Sequence, residues 1–194
     1  MVYNGSFALI KINKLSLITT IAILGAADTY ISYVAKRISK YYRVLLFDRN
    51  VLKLAEMHNQ LLANDPFANI EKINCATDAS WEADIIIILN TYCLDSLIIE
   101  KIKQVSTGKI VIVISERSNT ELASLDNLAL QQLLMHVKLI QVGITINNEK
   151  SDLENKLTLK GNDRAALETV SFLLTSVGFT TQHTLTSNSL PQNQ

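Results

Sequence analysis

The sequence predicts a single α/β domain built as a doubly wound, mostly parallel sheet with helices on both faces. Three observations carry this. Strand-like and helix-like segments alternate from about residue 19 onward, and parallel neighbours need crossover helices on the sheet faces. Ile85–Leu89 and Ile110–Ile114 are apolar throughout, the pattern of strands covered on both sides rather than wet on one. An early apolar run, Thr19–Leu24, stops at Gly25 and gives way to an amphipathic helix, as a buried parallel strand does.

Taken in order, Asp28 is placed to cap that first helix, in which Ile31, Val34, Ala35 and Ile38 recur at three- and four-residue spacing while Lys36, Arg37 and Lys40 fall elsewhere. Arg43–Asp48 is the next strand. Asn50 caps a second helix carrying Leu52, Leu54, Ala55, Leu61 and Leu62, ended by Asn64-Asp65-Pro66. A weak strand over Ile70–Cys75 follows, then a short crossover in which Trp81 and Glu82 are expected to pack, then the central strand Ile85–Leu89.

Leu94–Val105 reads as a helix ended by Gly108, Ile110–Ile114 as a buried strand, and Ser115–Thr120 as a polar turn. Leu122–Met135 is helical by periodicity, Lys138–Ile146 strand-like, and Asn147–Asp152 a turn. Leu153–Leu159 alternates as a half-exposed strand does. Asp163 opens a helix that runs to Val177, Gly178 stops it, and Phe179–Leu185 is the last strand. The expected organisation is an N-terminal extension over 1–15, the domain over 16–186, and a disordered polar tail over 187–194.

Composition narrows the function classes. Hydrophobic residues make up 48% of the 194, and Lys+Arg and Asp+Glu are both 18, so the net charge is zero and no global field draws nucleic acid or anionic lipid. Neither a nucleic-acid partner nor a membrane partner is expected. Lys11 and Lys14 before the apolar stretch Leu15–Ala27 imitate a secretory signal, but cleavage there would delete the first strand, so the segment is expected to be retained in a cytoplasmic protein. Cys75 and Cys93 lack metal-ligand spacing and are expected to be buried, reduced thiols. His58, His136 and His183 are expected on two helices and a late strand, too scattered for a metal or catalytic set. No catalytic residue is legible.

The turn after the first strand reads Gly25-Ala26-Ala27-Asp28-Thr29-Tyr30. In the Rossmann-like version of this fold, a G-x-G-x-x-G turn brings backbone amides at a helix N-terminus to a pyrophosphate, and an acid about 20 residues on holds the adenosine ribose. Here the first glycine is present, the second is Ala27 and the third is Tyr30. Asp48-Arg49-Asn50 ends the next strand where the ribose carboxylate belongs: Asp48 suits the 2′-hydroxyl of NAD, and Arg49 the 2′-phosphate of NADP. Three features oppose the pyrophosphate. The Ala27 methyl limits its approach, the Tyr30 ring must turn outward or prise helix from strand, and the Asp28 carboxylate repels phosphate and competes for the helix amides. The alternatives are a purely structural corner and a solvated strand-end aspartate.

At these residues the chain resembles the NADP-binding reductases that use the deazaflavin coenzyme F-420, with their broader oxidoreductase relatives. Ile21–Asn50 matches that family's strand, turn, helix and second strand in register, and Ile85–Leu89, Ile110–Ile114, Lys138–Ile146 and Leu157–Gly178 resemble its later elements. The likeness spans nearly the whole chain as a pattern of elements. The family's glycines fall at Ala27, Tyr30 and Tyr41, its proline-bearing turn at Asn90-Thr91-Tyr92, and its lysine and asparagine at Gln141 and Ile144. The resemblance implies a nucleotide cofactor, NADP before NAD, and hydride transfer between NADPH and a small acceptor. Asn90, Thr91 and Ser115, at the ends of later strands, are candidates to line the nicotinamide end, beside Glu116 and Arg117. A second possibility is an inactive domain without cofactor, in which Tyr30, Tyr33, Tyr41 and Tyr42 offer an aromatic face to a partner. A methyltransferase using S-adenosylmethionine is a third, for which the turn is short of glycine. A homodimer is the default expectation for a soluble domain.

Overall fold

The computed structural model describes residues 19–90, 96–116, 134, 136–144 and 156–185. Its strands are β1 (Thr20–Leu24), β2 (Arg43–Phe47), β3 (Ile70–Lys72), β4 (Ile85–Leu89), β5 (Ile110–Glu116), β6 (Lys138–Ile144), β7 (Lys156–Gly161) and β8 (Thr180–Leu185). The helices are α1 (Thr29–Ile38), α2 (Val51–Asn64), α3 (Ala76–Glu82), α4 (Ser96–Lys103) and α5 (Arg164–Ser176). All eight strands join one sheet in the order β3-β2-β1-β4-β5-β6-β7-β8. Every neighbouring pair is parallel except β6 and β7, which run antiparallel, so β7 and β8 oppose the other six. This is the Rossmann-like, doubly wound α/β architecture.

Alternation along the buried strands feeds two cores, because successive side chains leave a strand on opposite faces. Ile21 and Ile23 of β1, Val44 and Leu46 of β2, and Ile85 and Ile87 of β4 pack with Ile31, Val34 and Ile38 of α1, Leu54 and Leu61 of α2, and Val170 and Leu173 of α5. Ala22, Leu24, Leu45, Ile86 and Ile88 point the other way, to Ala76 and Ala79 of α3 and Ile98, Ile99 and Ile102 of α4. An unbroken apolar run is thus what a strand between two helical layers requires.

Helices α1, α2 and α5 start where short polar side chains cap them. Asp28 Oδ1 accepts from the amides of Tyr30 and Ile31, Asn50 Oδ1 from Lys53, and Asp163 Oδ1 from Ala166. Arg37, on α1, ties this helix to the end of α5: its guanidinium donates to the carbonyls of Val177 and Gly178 and lies 4.8 Å from the ring centroids of both Tyr33 and Phe179. Gly178 has φ +90°, a conformation that side chains disfavour, and lets the chain turn from α5 into β8.

Several expectations need correction. Ser115 and Glu116 continue β5 rather than opening a turn, because β6 extends far enough to pair with them. β3 ends at Lys72. Trp81 is 71% exposed, since Ala76, Ala79 and Ser80 form the buried stripe of α3 and a residue one position on from Ser80 falls outside it. Cys75 is partly exposed at the N-cap of α3, where the Asp78 backbone amide lowers its thiol below the ordinary value despite an opposing contribution from burial. His136 lies in an exposed turn and not on a helix. Buried Leu134 also lies in a turn; the rest of the helix expected over 122–135 falls outside the described residues, as do Cys93, the turn over 147–152 and the segments 1–15 and 187–194. Among the described residues, no helix is long and apolar enough to cross a membrane.

Candidate functional site

The parallel register brings the predicted residues to one edge of the sheet. Leu24 pairs with Phe47 and with Ile88, and Leu89 pairs with Ile114. Gly25, Asp48 and Asn90, each next after its strand, and Ser115, one residue past the partner of Leu89 and still within β5, therefore gather at the carboxyl edge, where ligands of such sheets bind. Gly25 to Tyr30 and Asp48 to Asn50 form one corner. Asn90 and Ser115, both half-buried, lie further along the edge, and Thr91 falls outside the described residues.

Gly25 is buried and has φ +84°, which only glycine adopts without strain, and this turns the chain out of β1. The Gly25 and Ala26 amides both donate to the Phe47 carbonyl, at 2.9 and 3.1 Å. Asp48 is only 7% exposed, and its carboxylate bridges the corner: Oδ2 accepts from the Ala27 amide at 3.0 Å and Oδ1 from the Asn50 amide at 2.8 Å. The Asp28 amide donates to the Gly25 carbonyl. Asp28 Oδ1 takes the Tyr30 amide at 2.9 Å and the Ile31 amide at 3.3 Å. Of the amides from Gly25 to Ile31, that of Thr29 alone has no acceptor among the described residues. Two carboxylates thus hold the positive end of α1 and the floor of the turn.

Of the two outcomes expected for Tyr30, the ring does not turn outward. Its side chain is buried, 8% exposed, in the core cluster that also holds Ile21 and Ile23 of β1 and Ile31 of α1. Tyr42 is 2% exposed and bonds Ser176 Oγ, Tyr33 packs edge-on against Phe179, and Tyr41 is the exposed member. The four tyrosines therefore do not form one outward aromatic face.

Arg49, Asn50, Val51 and Leu52 are exposed on the outer lip of the corner, beside Asp48. The three histidines stay apart, on α2, in the turn before β6 and on β8, and among the described residues no group of His, Cys, Asp or Glu is arranged to hold a metal ion. Gln141 is half-buried within β6. Sequence reasoning missed the bond from Asp48 to Ala27 and the clamp made by Arg37. Both span residues distant in sequence and leave no local pattern; only the short Asp48-Arg49-Asn50 motif hinted that the carboxylate faces the corner.

No family model and no curated protein sequence matches the chain. Solved structures do. An imine reductase from Myxococcus stipitatus in complex with NADP+ aligns with a TM-score of 0.62 at 16% identity over 86% of this chain and 55% of that one. An Arthrobacter sp. FB24 protein, provisionally assigned as an F420-dependent NADP reductase, aligns at 0.62 and 18% identity over 87% of this chain and 85% of that one. A hypothetical protein from Sinorhizobium meliloti aligns at 0.64 and 20% identity over 90% and 88%. The chain spans about half the length of the imine reductase. At these identities the likeness establishes the fold.

Proposed function

We propose that this chain is an oxidoreductase-like protein that binds a nicotinamide dinucleotide at the Gly25–Asp48 corner and serves hydride transfer to a small acceptor. The observation that carries the reading is Asp48: a buried carboxylate at the end of β2, fixed by two backbone amides at the carboxyl edge of a parallel sheet. Each of its oxygens accepts one such bond and keeps further acceptor capacity for a ribose hydroxyl. That the imine reductase and the FB24 protein are named for NADP chemistry supports the same reading.

The residues fit the adenosine half of the cofactor. Asp48 would accept from the ribose, and Arg49, Val51 and Leu52 would flank the base. At the diphosphate half, Asp28 already occupies the amides of Tyr30 and Ile31, leaving Thr29 as the donor that is not engaged among the described residues. The bound nicotinamide would supply the hydride, so the chain's own task is to orient the cofactor and exclude water. Asn90 and Ser115 are the described residues at the far end of the same edge.

NADP and NAD make opposed demands here. The Asp48 carboxylate suits the free ribose diol of NAD, and the neighbouring Arg49 guanidinium suits the 2′-phosphate of NADP. Calorimetric titration with NADPH and with NADH tests the reading, and absence of binding for both at millimolar concentration removes it. Asp48→Asn is expected to weaken NADH roughly tenfold while sparing or improving NADPH, because the carboxylate favours a diol and repels a phosphate. Equal losses for both would show that Asp48 acts only by shaping the corner.

A further inference from the structure

We infer that Asp28 is a built-in competitor for the cofactor's diphosphate and so sets how tightly this corner holds a dinucleotide. The inference rests on the reading above and adds a control element to it. The Asp28 carboxylate caps the first turn of α1 through the Tyr30 and Ile31 amides, at 2.9 and 3.3 Å, the position at which a diphosphate oxygen would seek the same donors. One carboxylate cannot share these amides with a phosphate of like charge, so while Asp28 stays in place the diphosphate is left with the Thr29 amide, the one from Gly25 to Ile31 without an acceptor among the described residues. The second carboxylate, Asp48, holds the Ala27 amide at 3.0 Å and removes the alternative donor next to it. Ala26 and Gly25 are directed to the Phe47 carbonyl and cannot substitute. The nucleoside end carries no such conflict, because it meets Asp48 and the exposed lip of α2 rather than the helix terminus. Asp28 thus penalises the phosphates and leaves the adenosine contacts untouched.

The test compares the full chain with Asp28→Ser and Asp28→Asn, both of which keep an oxygen able to cap the helix and remove the charge. Affinities for NADPH, NADH and adenosine are measured by calorimetry, with a thermal melt to verify folding; should one variant fail to fold, the other decides. Both variants are expected to bind the dinucleotides roughly tenfold tighter than the parent chain, with adenosine unchanged. Dinucleotide binding that is present in the parent and unaltered in the variants overturns this inference and leaves the proposed function standing. An equal gain for adenosine also overturns it, since the effect would then lie outside the diphosphate. Binding that emerges only in the variants overturns the proposed function for the parent chain and supports Asp28 as the group that keeps the diphosphate out. No dinucleotide binding by any of the three proteins overturns the proposed function, and the inference falls with it.

Discussion

Asp48 and Arg37 each fix a stretch of structure far from themselves in sequence. Asp48 was legible as a strand-end acid from its spacing to Gly25, but its bond to Ala27, 21 residues away, follows from the β1–β2 register and could not be read locally. Arg37 read simply as part of the solvated face of α1. In the structure its planar head lies 4.8 Å from the ring centroids of both Tyr33 and Phe179 and satisfies the two carbonyls at the end of α5. Such a head neutralises the negative end of a helix and forms cation–π contacts together. Arg37→Ala is expected to destabilise the chain by about 1–3 kcal/mol in urea denaturation, and Arg37→Lys to recover little of it, because an ammonium lacks the planar fork. Full recovery by lysine would mean that charge alone matters.

At the scale of elements, apolar runs and capping residues were the reliable signals. Asp28, Asn50 and Asp163 cap the helices expected of them, and β1, β2 and β4 lie where unbroken hydrophobic runs placed them. The failures came where a neighbour decides. β5 runs two residues past its apolar segment because β6 offers partners there, and α3 turns Trp81 to solvent because small residues fill its buried stripe. The end of α3 is closed by Lys109, whose Nζ donates to the carbonyls of Ser80 and Trp81. Burial holds this ammonium below its ordinary value of 10.5, outweighing the attraction of Asp84. The charged form is therefore disfavoured by folding. Between the depressed folded value and 10.5 the unfolded chain carries the extra proton, so stability gains with rising pH across that alkaline window and levels off above it. Measured against Lys109→Met, the parent should gain relative stability on moving into that window; a difference independent of pH would show that Lys109 titrates normally.

Across the whole molecule, the doubly wound plan was legible because its parallel core must be covered on both faces, and alternating strands and helices are the signature of that cover. The reversal at β7 was not, since Leu157 and Leu159 alternate with Lys156 and Lys160 equally well in either direction. The sheet is thickest in apolar cover at β1, β4 and β5 and thin at β3 and β8, whose residues are mostly exposed. Amide hydrogen exchange should follow this gradient, with the slowest protons on Ile21–Leu24, Ile85–Leu89 and Val111–Ile114, and the fastest strand protons on β3 and β8. Uniform protection across the sheet would contradict it.

Tyr30 has one more consequence, which concerns how firmly the corner is packed. Its phenol side chain is 8% exposed and belongs to the same core cluster as Ile21, Ile23 and Ile31. Replacing it by glycine would excavate a ring-sized void worth about 3–5 kcal/mol and loosen the opening turn of a helix. A glycine at this point of the turn is therefore a change that the core resists, whereas Asp28, half-buried two residues earlier, lies outside that cluster.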